Sequence, residues 1–325
     1  MIKNLEIKNF KSIKYLKINC KKINLFIGEP NTGKSNILET LGIISAGMYG
    51  SGNVKDFVRF EFTSNLFYDE NIDENIFIKV DNIILSIVFE RKKFKITCYT
   101  GNIEVFSSIY NYKNCEISSR SDLEIPIKFY RFVVKNDFPR EESEFLLPPS
   151  GDNLLAVLRT HKKLYSTIKK QIFEPFGLKL VFKTSESKIE VLKETEDVFV
   201  SYPYSLISDT LQRIVFYLTA INSNKNSILI FEEPEAHSFP YYTKYLAERI
   251  ALDKNNNQYF ISTHNPYLLL SILGKAKKED IAVFITYFKE YQTKVKSLNE
   301  EELEEVMDLG IDIFFDIERF LEMEK

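Results

Sequence analysis

The chain is short of the residues that build covalent or metal-held scaffolds. Only three cysteines occur in 325 residues, Cys20, Cys98 and Cys115, and no two form a CxxC pair. They cannot make an even disulfide framework, so a reduced, cytoplasmic setting is expected. Three histidines are just as scattered and offer no zinc-site spacing. No stretch approaches the ~20 uncharged apolar residues that a membrane-spanning helix needs. The opening MIKNLEIKNFKSIKYLKINC alternates Lys and Asn with apolar residues and holds no signal-peptide core. Sustained heptads are missing, which excludes a long coiled-coil arm, and no internal repeat or low-complexity tract stands out.

What is present is globular in character. Hydrophobic residues make up 44% and charged residues 27%, enough apolar content to exclude wholesale disorder. The length suits one large domain, or a domain carrying an insertion. Net charge is −3, which predicts no generally basic surface, but the charge is uneven. Residues 1–22 hold seven lysines against Glu6, and residues 300–325 hold eleven acids against Arg319 and Lys325. Each block reads either as a solvated face or as an interaction surface. In the second reading the basic edge lies near nucleotide or DNA, and the acidic end meets a partner or that edge.

Periodicity divides the chain into three. Ile2, Leu5 and Ile7, then Ile13, Leu16 and Ile18, then Ile23, Leu25 and Ile27 mark strands. Ile37, Leu38, Leu41 and Ile44 mark a helix from Ser35 to about Met48, ended by Gly47, Gly50, Ser51, Gly52 and Asn53. The stretch 54–200 differs. Segments 75–80, 83–90, 93–99 and 103–107 form an antiparallel meander, with another strand at 125–134. After Pro148-Pro149-Ser150-Gly151, Asp152 is expected to cap a helix of about twenty residues ending near Pro175 and Gly177, with short strands at 178–183 and 187–192. From 205 an alternating pattern returns: helix 209–222, strand 227–231, helix 239–252, strand 258–262, helix 266–273 and strand 281–287. The expected organisation is 1–53 and 201–325 as two parts of one α/β unit, with 54–200 inserted.

Three motifs carry chemistry. Gly28-Glu29-Pro30-Asn31-Thr32-Gly33-Lys34-Ser35 satisfies GxxxxGK[ST], follows a buried strand and opens a helix. Its glycines let the backbone wrap phosphates, its amides point inward, and the helix start adds favourable partial charge. Lys34 reaches the β- and γ-phosphates and the Ser35 hydroxyl ligates Mg²⁺. Second, the apolar strand Ser227–Phe231 runs into Glu232-Glu233-Pro234-Glu235. Strand side chains alternate, so Glu232 is assigned to the metal shell and Glu233 to the attacking water, as base or positioner. Third, Ser262-Thr263-His264-Asn265-Pro266 follows another buried strand, and His264 is placed against the γ-phosphate or the water. His237 has weaker claims, and His161 is expected at the surface.

In this order and spacing the motifs resemble the ABC-class ATPases, and within them the SMC/RecF/OLD-like branch. Asn9-Phe10-Lys11-Ser12-Ile13 is similar to that branch's N-terminal segment. The loop continues Lys34-Ser35-Asn36-Ile37-Leu38-Glu39 as the branch does, and Glu232-Glu233-Pro234-Glu235-Ala236-His237 is similar to its carboxylate run. The likeness covers about 1–50 and 200–290.

The resemblance implies a P-loop NTPase of ABC type, an α/β fold with an antiparallel β subdomain and a compact mixed insertion. It implies ATP and Mg²⁺ as cofactors, with Gly28 to Asn36 and Lys11 at the nucleotide. It also implies an ATP-dependent homodimer in which Ser208, in the signature-like Leu206–Arg213, touches the partner head's γ-phosphate. There are two departures: Thr210 stands where the family usually has glycine, which weakens that contact, and, more mildly, Glu232 stands where many relatives have Asp, the longer carboxylate still reaching a metal-bound water. The family's Mg²⁺-sensing glutamine has no identifiable counterpart. With 61 residues after His264, no appended nuclease domain is expected, so an effector or nuclease would be a separate protein. DNA is the other implied partner, a membrane is not, and the implied role is a switch in DNA maintenance or defence. Two rivals stay open: an ATP-gated binding module without turnover, and a transporter ATPase subunit.

Overall fold

The computed structural model describes residues 1–50, 54–110, 115–195, 198–310 and 314–322. In chain order the strands are β1 (Asn4–Phe10), β2 (Ile13–Asn19), β3 (Ile23–Ile27), β4 (Ile76–Val80), β5 (Ile83–Glu90), β6 (Lys93–Thr100), β7 (Ile103–Tyr110), β8 (Cys115–Arg120), β9 (Ile127–Tyr130), β10 (Leu178–Lys183), β11 (Lys188–Thr195), β12 (Val198–Pro203), β13 (Ile228–Glu232), β14 (Gln258–Ser262), β15 (Ile281–Lys289) and β16 (Gln292–Ser297). The helices are α1 (Lys34–Tyr49), α2 (Leu154–Thr160), α3 (Lys162–Ile168), α4 (Asp209–Ser223), α5 (Pro240–Ala251), α6 (Pro266–Leu273), α7 (Glu300–Leu309) and α8 (Ile317–Glu322).

Two large sheets flank α1. The central sheet runs β16-β15-β3-β14-β13-β9, parallel except for the edge strand β16. Strands β3 and β14 are buried along their whole length, which is why they read as continuous apolar runs. The other sheet, β2-β1-β4-β5-β6-β7-β8, is antiparallel, and in β1, β2 and β4 buried residues are interleaved with more exposed ones. Helix α1 packs between them. Thirteen of its sixteen residues are buried, so it shows no polar face of the usual surface kind. At Gly47 the close approach is obligatory, because a Cβ there would lie 2.1 Å from the Phe106 ring. On the far face of the central sheet, α4, α5 and α6 enclose a second core with α2, α3 and the small sheet β10-β11-β12.

The expected meander and alternating C-terminal pattern are present, with boundaries shifted by up to three residues. Ser51, Gly52 and Asn53 lie outside the described residues. Other expectations need correction. Strand β9 lies inside 54–200 yet pairs in parallel with β13, because its four fully buried residues need cover on both faces. Asp152 does not cap a long helix; it pairs with Lys135 at 2.5 Å, and Asn153 occupies the cap position. The helix is broken at His161, where ψ is 73°. There Nε2 lies 2.9 Å from the Ser143 carbonyl and 3.1 Å from that of Glu144, so this histidine holds a loop. A wide π turn over Lys169–Phe173 follows α3. Strands β8, β12 and β16 and helices α7 and α8 have no counterpart among the expected elements.

Candidate active site

In an open α/β sheet, ligands collect at the carboxyl ends of the strands. Here β3 ends at the glycine loop, β13 at Glu232-Glu233 and β14 at Thr263-His264. Register aligns these ends: Ser262 pairs with Phe26 on one side and Glu232 on the other. Sequence segments more than 200 residues apart thereby meet around a cavity of ≈ 420 Å³. It is lined by Pro30, Asn31, Gly33, Lys34, Ser35, Asn36, Arg59, Glu233 and His264.

The loop's backbone needs its glycines. Gly33 has φ +95° and Gly28 φ +144°. A Cβ on Gly33 would stand 2.1 Å from Thr293 Oγ1, and one on Gly28 2.3 Å from the Thr286 carbonyl. These neighbours belong to the β15–β16 hairpin, which buttresses the loop from outside. Thr286 and Thr32 hydroxyls are 2.7 Å apart, Thr293 Oγ1 donates to the Thr32 carbonyl at 3.0 Å, and Ser12 Oγ is 2.7 Å from Thr293 Oγ1. Asn36 Nδ2 donates to Ser12 Oγ at 2.7 Å. The Lys34 ammonium lies over the loop, donating to the Gly28 and Glu29 carbonyls at 2.9 and 2.6 Å. Burial lowers its pKa to about 8, against the opposing pull of Glu233 and Glu29.

The carboxylates diverge as alternation requires. Burial disfavours ionisation of Glu232, but the Ser35 hydroxyl and two guanidiniums outweigh it and hold its pKa below the usual range. Arg59 Nη2 donates to Glu232 at 2.5 Å and Arg131 Nη2 at 3.0 Å. Both arginines also reach the fully buried Glu39 of α1, at 3.0 and 3.5 Å. Glu233 takes a left-handed backbone, φ 43°, and points into the cavity with His264 Nε2 3.4 Å from its carboxylate. Burial, then the Lys34 charge, lower the His264 pKa, so its imidazole is neutral at pH 7. Glu235 is buried, bonded to the Thr263 hydroxyl, with Oε2 unpartnered; burial raises its pKa to about 7.

Lys34, Ser35, Glu233 and His264 thus come together as the spacing predicted, with Glu232 bonded to Ser35. Six expected residues do not line this cavity: Gly28, Glu29 and Thr32 belong to the same loop, Glu232 bonds to Ser35 from outside the lining, and Lys11 and Ser208 are engaged or placed elsewhere. Lys11 binds the Glu39 carboxylate and donates to the Arg59 carbonyl at 2.6 Å. Ser208 lies at the start of α4, exposed and making no side-chain cap. Thr210 beside it donates to the His237 carbonyl at 2.9 Å, joining that helix to the carboxylate turn. Sequence reasoning missed Arg59, Arg131, Thr286 and Thr293. The paired acid Glu39, a charge in an apolar helix, was the one available signal that a cation must fold over it.

Residues 1–212 and 150–269 match a family model described as an AAA ATPase domain. The chain belongs to the AAA ATPase domain family. Nucleotide binding is the property that goes with this ATPase domain. No curated protein matches the sequence. Among solved structures, the domain is similar to the SMC head bound to the C-winged helix domain of ScpA, at 16% identity and TM-score 0.58, covering 94% of this chain and 99% of that one. It is also similar to the SMC head domain with an extended coiled coil bound to the C-terminal domain of ScpA derived from Pyrococcus furiosus, at 14% identity and TM-score 0.51, covering 94% and 98%. At such identity the likeness establishes the fold alone: this AAA ATPase domain has the fold of an SMC head. No helix among the described residues is long and apolar enough to cross a membrane.

Proposed function

We propose that this ATPase head binds Mg-ATP at Gly28–Asn36, closes as a homodimer, hydrolyses ATP slowly and reopens, as a switch in DNA maintenance or defence. The observation that carries the reading is the meeting of Lys34, Ser35, Glu233 and His264 around one cavity of triphosphate size. The loop amides and Lys34 hold the phosphate oxygens as charge moves during in-line attack by water. Glu233 orients that water and takes its proton, and neutral His264 steadies Glu233 and the γ-phosphate.

Ser35 and Glu232 are the residues that would hold Mg²⁺. An ionised carboxylate bonded to a hydroxyl is an oxygen donor set suited to a hard cation that keeps several waters and phosphate oxygens. When bound, the ion neutralises phosphate charge. Ser208 reaches the second head's nucleotide from its exposed position at the start of α4. The parts 1–53 and 201–325, together with β9, form the head, and the rest of the stretch between them is its insertion.

A second reading has its own support. Two guanidiniums already engage Glu232, and Thr210 replaces the usual glycine, so an ATP-gated binding module with negligible turnover fits the same loop. Phosphate release and solution mass, measured for wild type and Glu233→Gln, separate the two. The ATPase reading expects Glu233→Gln to cut turnover by about 10²–10⁴ while ATP doubles its mass. Bound ATP without phosphate release from either protein establishes the module instead.

A further inference from the structure

The opposite end of the central sheet carries a second concave surface. A cleft of ≈ 530 Å³ opens where α4 ends and β13 begins, walled by α3 and α5. Four exposed cations line it, Lys162 and Lys163 from α3, Lys225 from the turn after α4, and Arg249 from α5; no Asp or Glu lines it. None of the four pairs with a carboxylate among the described residues. The nearest acids along α5 and after α3 are engaged elsewhere, Glu248 with Lys275 at 3.8 Å and Glu174 with Lys169 at 3.6 Å. Such a concentration of uncompensated positive charge is unusual in a chain of net charge −3.

Its neighbours do not neutralise it. The negative end of α4 points here, but its carbonyls are met by local donors: Asn222 on Leu218, Asn224 on Ala220 and Asn255 on Ile221, at 2.7, 2.7 and 3.2 Å. The Arg249 guanidinium lies 4.7 Å from the centre of the Tyr245 ring, a flat surface of the kind on which bases stack. An adjoining cavity of ≈ 480 Å³, which Lys225 also lines, is different, since Glu124 and Glu144 stand there beside the buried Lys128. The cationic surface is therefore bounded on that side.

We propose that this cleft binds phosphate esters, with Lys162, Lys163, Lys225 and Arg249 on the phosphate oxygens and the Tyr245–Arg249 platform beneath a base. The chemistry fits a single nucleic-acid strand or a free mononucleotide. The site is separate from the glycine loop and does not depend on the nucleotide reading above. Helix α4, ~22 Å long for fifteen residues, runs from Ser208 at one end to the cleft at the other.

The test uses the full chain, a fluorescein-labelled 20-nucleotide single strand followed by anisotropy at several salt concentrations, and AMP followed by calorimetry. The comparison variant is Lys163→Glu with Arg249→Glu, checked for unchanged ATP affinity and thermal midpoint. Strand binding that weakens about tenfold or more in the variant, with a salt slope smaller by about one and a half, assigns the strand. AMP binding lost in the variant, without strand binding, assigns the mononucleotide. Binding of neither ligand overturns the proposal, as does strand binding untouched in the variant but lost on charge reversal at Lys3, Lys8, Lys14 and Lys17. Equal competition by polyglutamate also overturns it, since that would mark a general polyanion surface.

Discussion

Lys34 shows how one side chain couples charge to ligand. Burial holds its pKa at about 8, so near that pH a sizeable fraction of the ligand-free protein carries a neutral amine. A triphosphate beside it favours the ammonium form. ATP binding at pH 8 should therefore take up protons, and at pH 6, where Lys34 is already charged, it should take up almost none through this group. Calorimetry in buffers of differing ionisation enthalpy measures the difference; equal proton uptake at both pH values would sink the assignment. Lys34→Ala should weaken ATP affinity about 10- to 100-fold, the worth of a hydrogen bond to a charged group.

Glu235 works in the other direction. Its pKa rises from 4.5 to about 7 because the folded protein buries it, with its own Oε2 left unpartnered. The folded state therefore holds the proton more tightly than the unfolded chain. That stability is complete below pH 4.5 and is lost as pH climbs through about 7, a change of about 3 kcal/mol. Glu235→Gln cannot ionise. Urea unfolding should show the stability gap between variant and wild type shifting in the variant's favour by roughly that amount from pH 4.5 to 8. A constant gap would mean that Glu235 stays ionised in the fold.

At the scale of elements, the β15–β16 hairpin is the part whose role the chain conceals. None of its residues lines the cavity, yet Thr286 and Thr293 set the wall against which Gly28 and Gly33 must close. Thr293→Val keeps the shape and removes the hydroxyl that bonds Thr32 and Ser12. The expected loss is ~1 kcal/mol in ATP affinity, roughly fivefold, with little change in turnover of bound ATP. An equal fall in affinity and turnover would mean that the hairpin shapes the chemistry as well as the cradle. The strands and helices beside the three motifs were legible because strand, turn and helix follow one another within fifteen residues. Strand β12 was not legible: every residue in it is exposed, so burial imposes no pattern. The broken helix at His161 was hidden for another reason, since the carbonyls that hold that ring come from a loop seventeen and eighteen residues earlier.

Across the whole molecule, the uneven charge resolves into internal pairings. The acidic C-terminal segment binds the chain's own cations: Lys296 with Glu302 at 2.7 Å, Lys278 with Glu304 at 2.6 Å, and Arg319 with Glu305. Asn299 and Glu302 form a capping box at the start of α7, where three consecutive acids also meet the positive end of the helix. Of these three pairs only Lys296–Glu302 is buried, so among them it has the large leverage. Lys296→Met leaves a buried carboxylate without its cation and should cost about 3–5 kcal/mol, read as a lower denaturation midpoint. Lys278→Met, at an exposed pair, should change stability by less than ~1 kcal/mol. At the other end, Lys11 is committed to Glu39 and Lys8 to Glu6 at 3.1 Å, leaving Lys3, Lys14 and Lys17 as exposed cations on that edge.

The sequence alone determined the glycine loop, the carboxylate pair, His264 and the alternating pattern around them. Each of these rests on short-range geometry: a positive φ that only glycine takes cheaply, a strand that must be apolar on both faces, a turn that follows at once. It did not determine that Arg59 and Arg131 clamp Glu232, that Lys11 faces Glu39, or that β9 completes the central sheet. Those depend on which distant strands pair and in which register. Register is fixed by how two sheets close over α1, a condition that no local pattern of residues encodes.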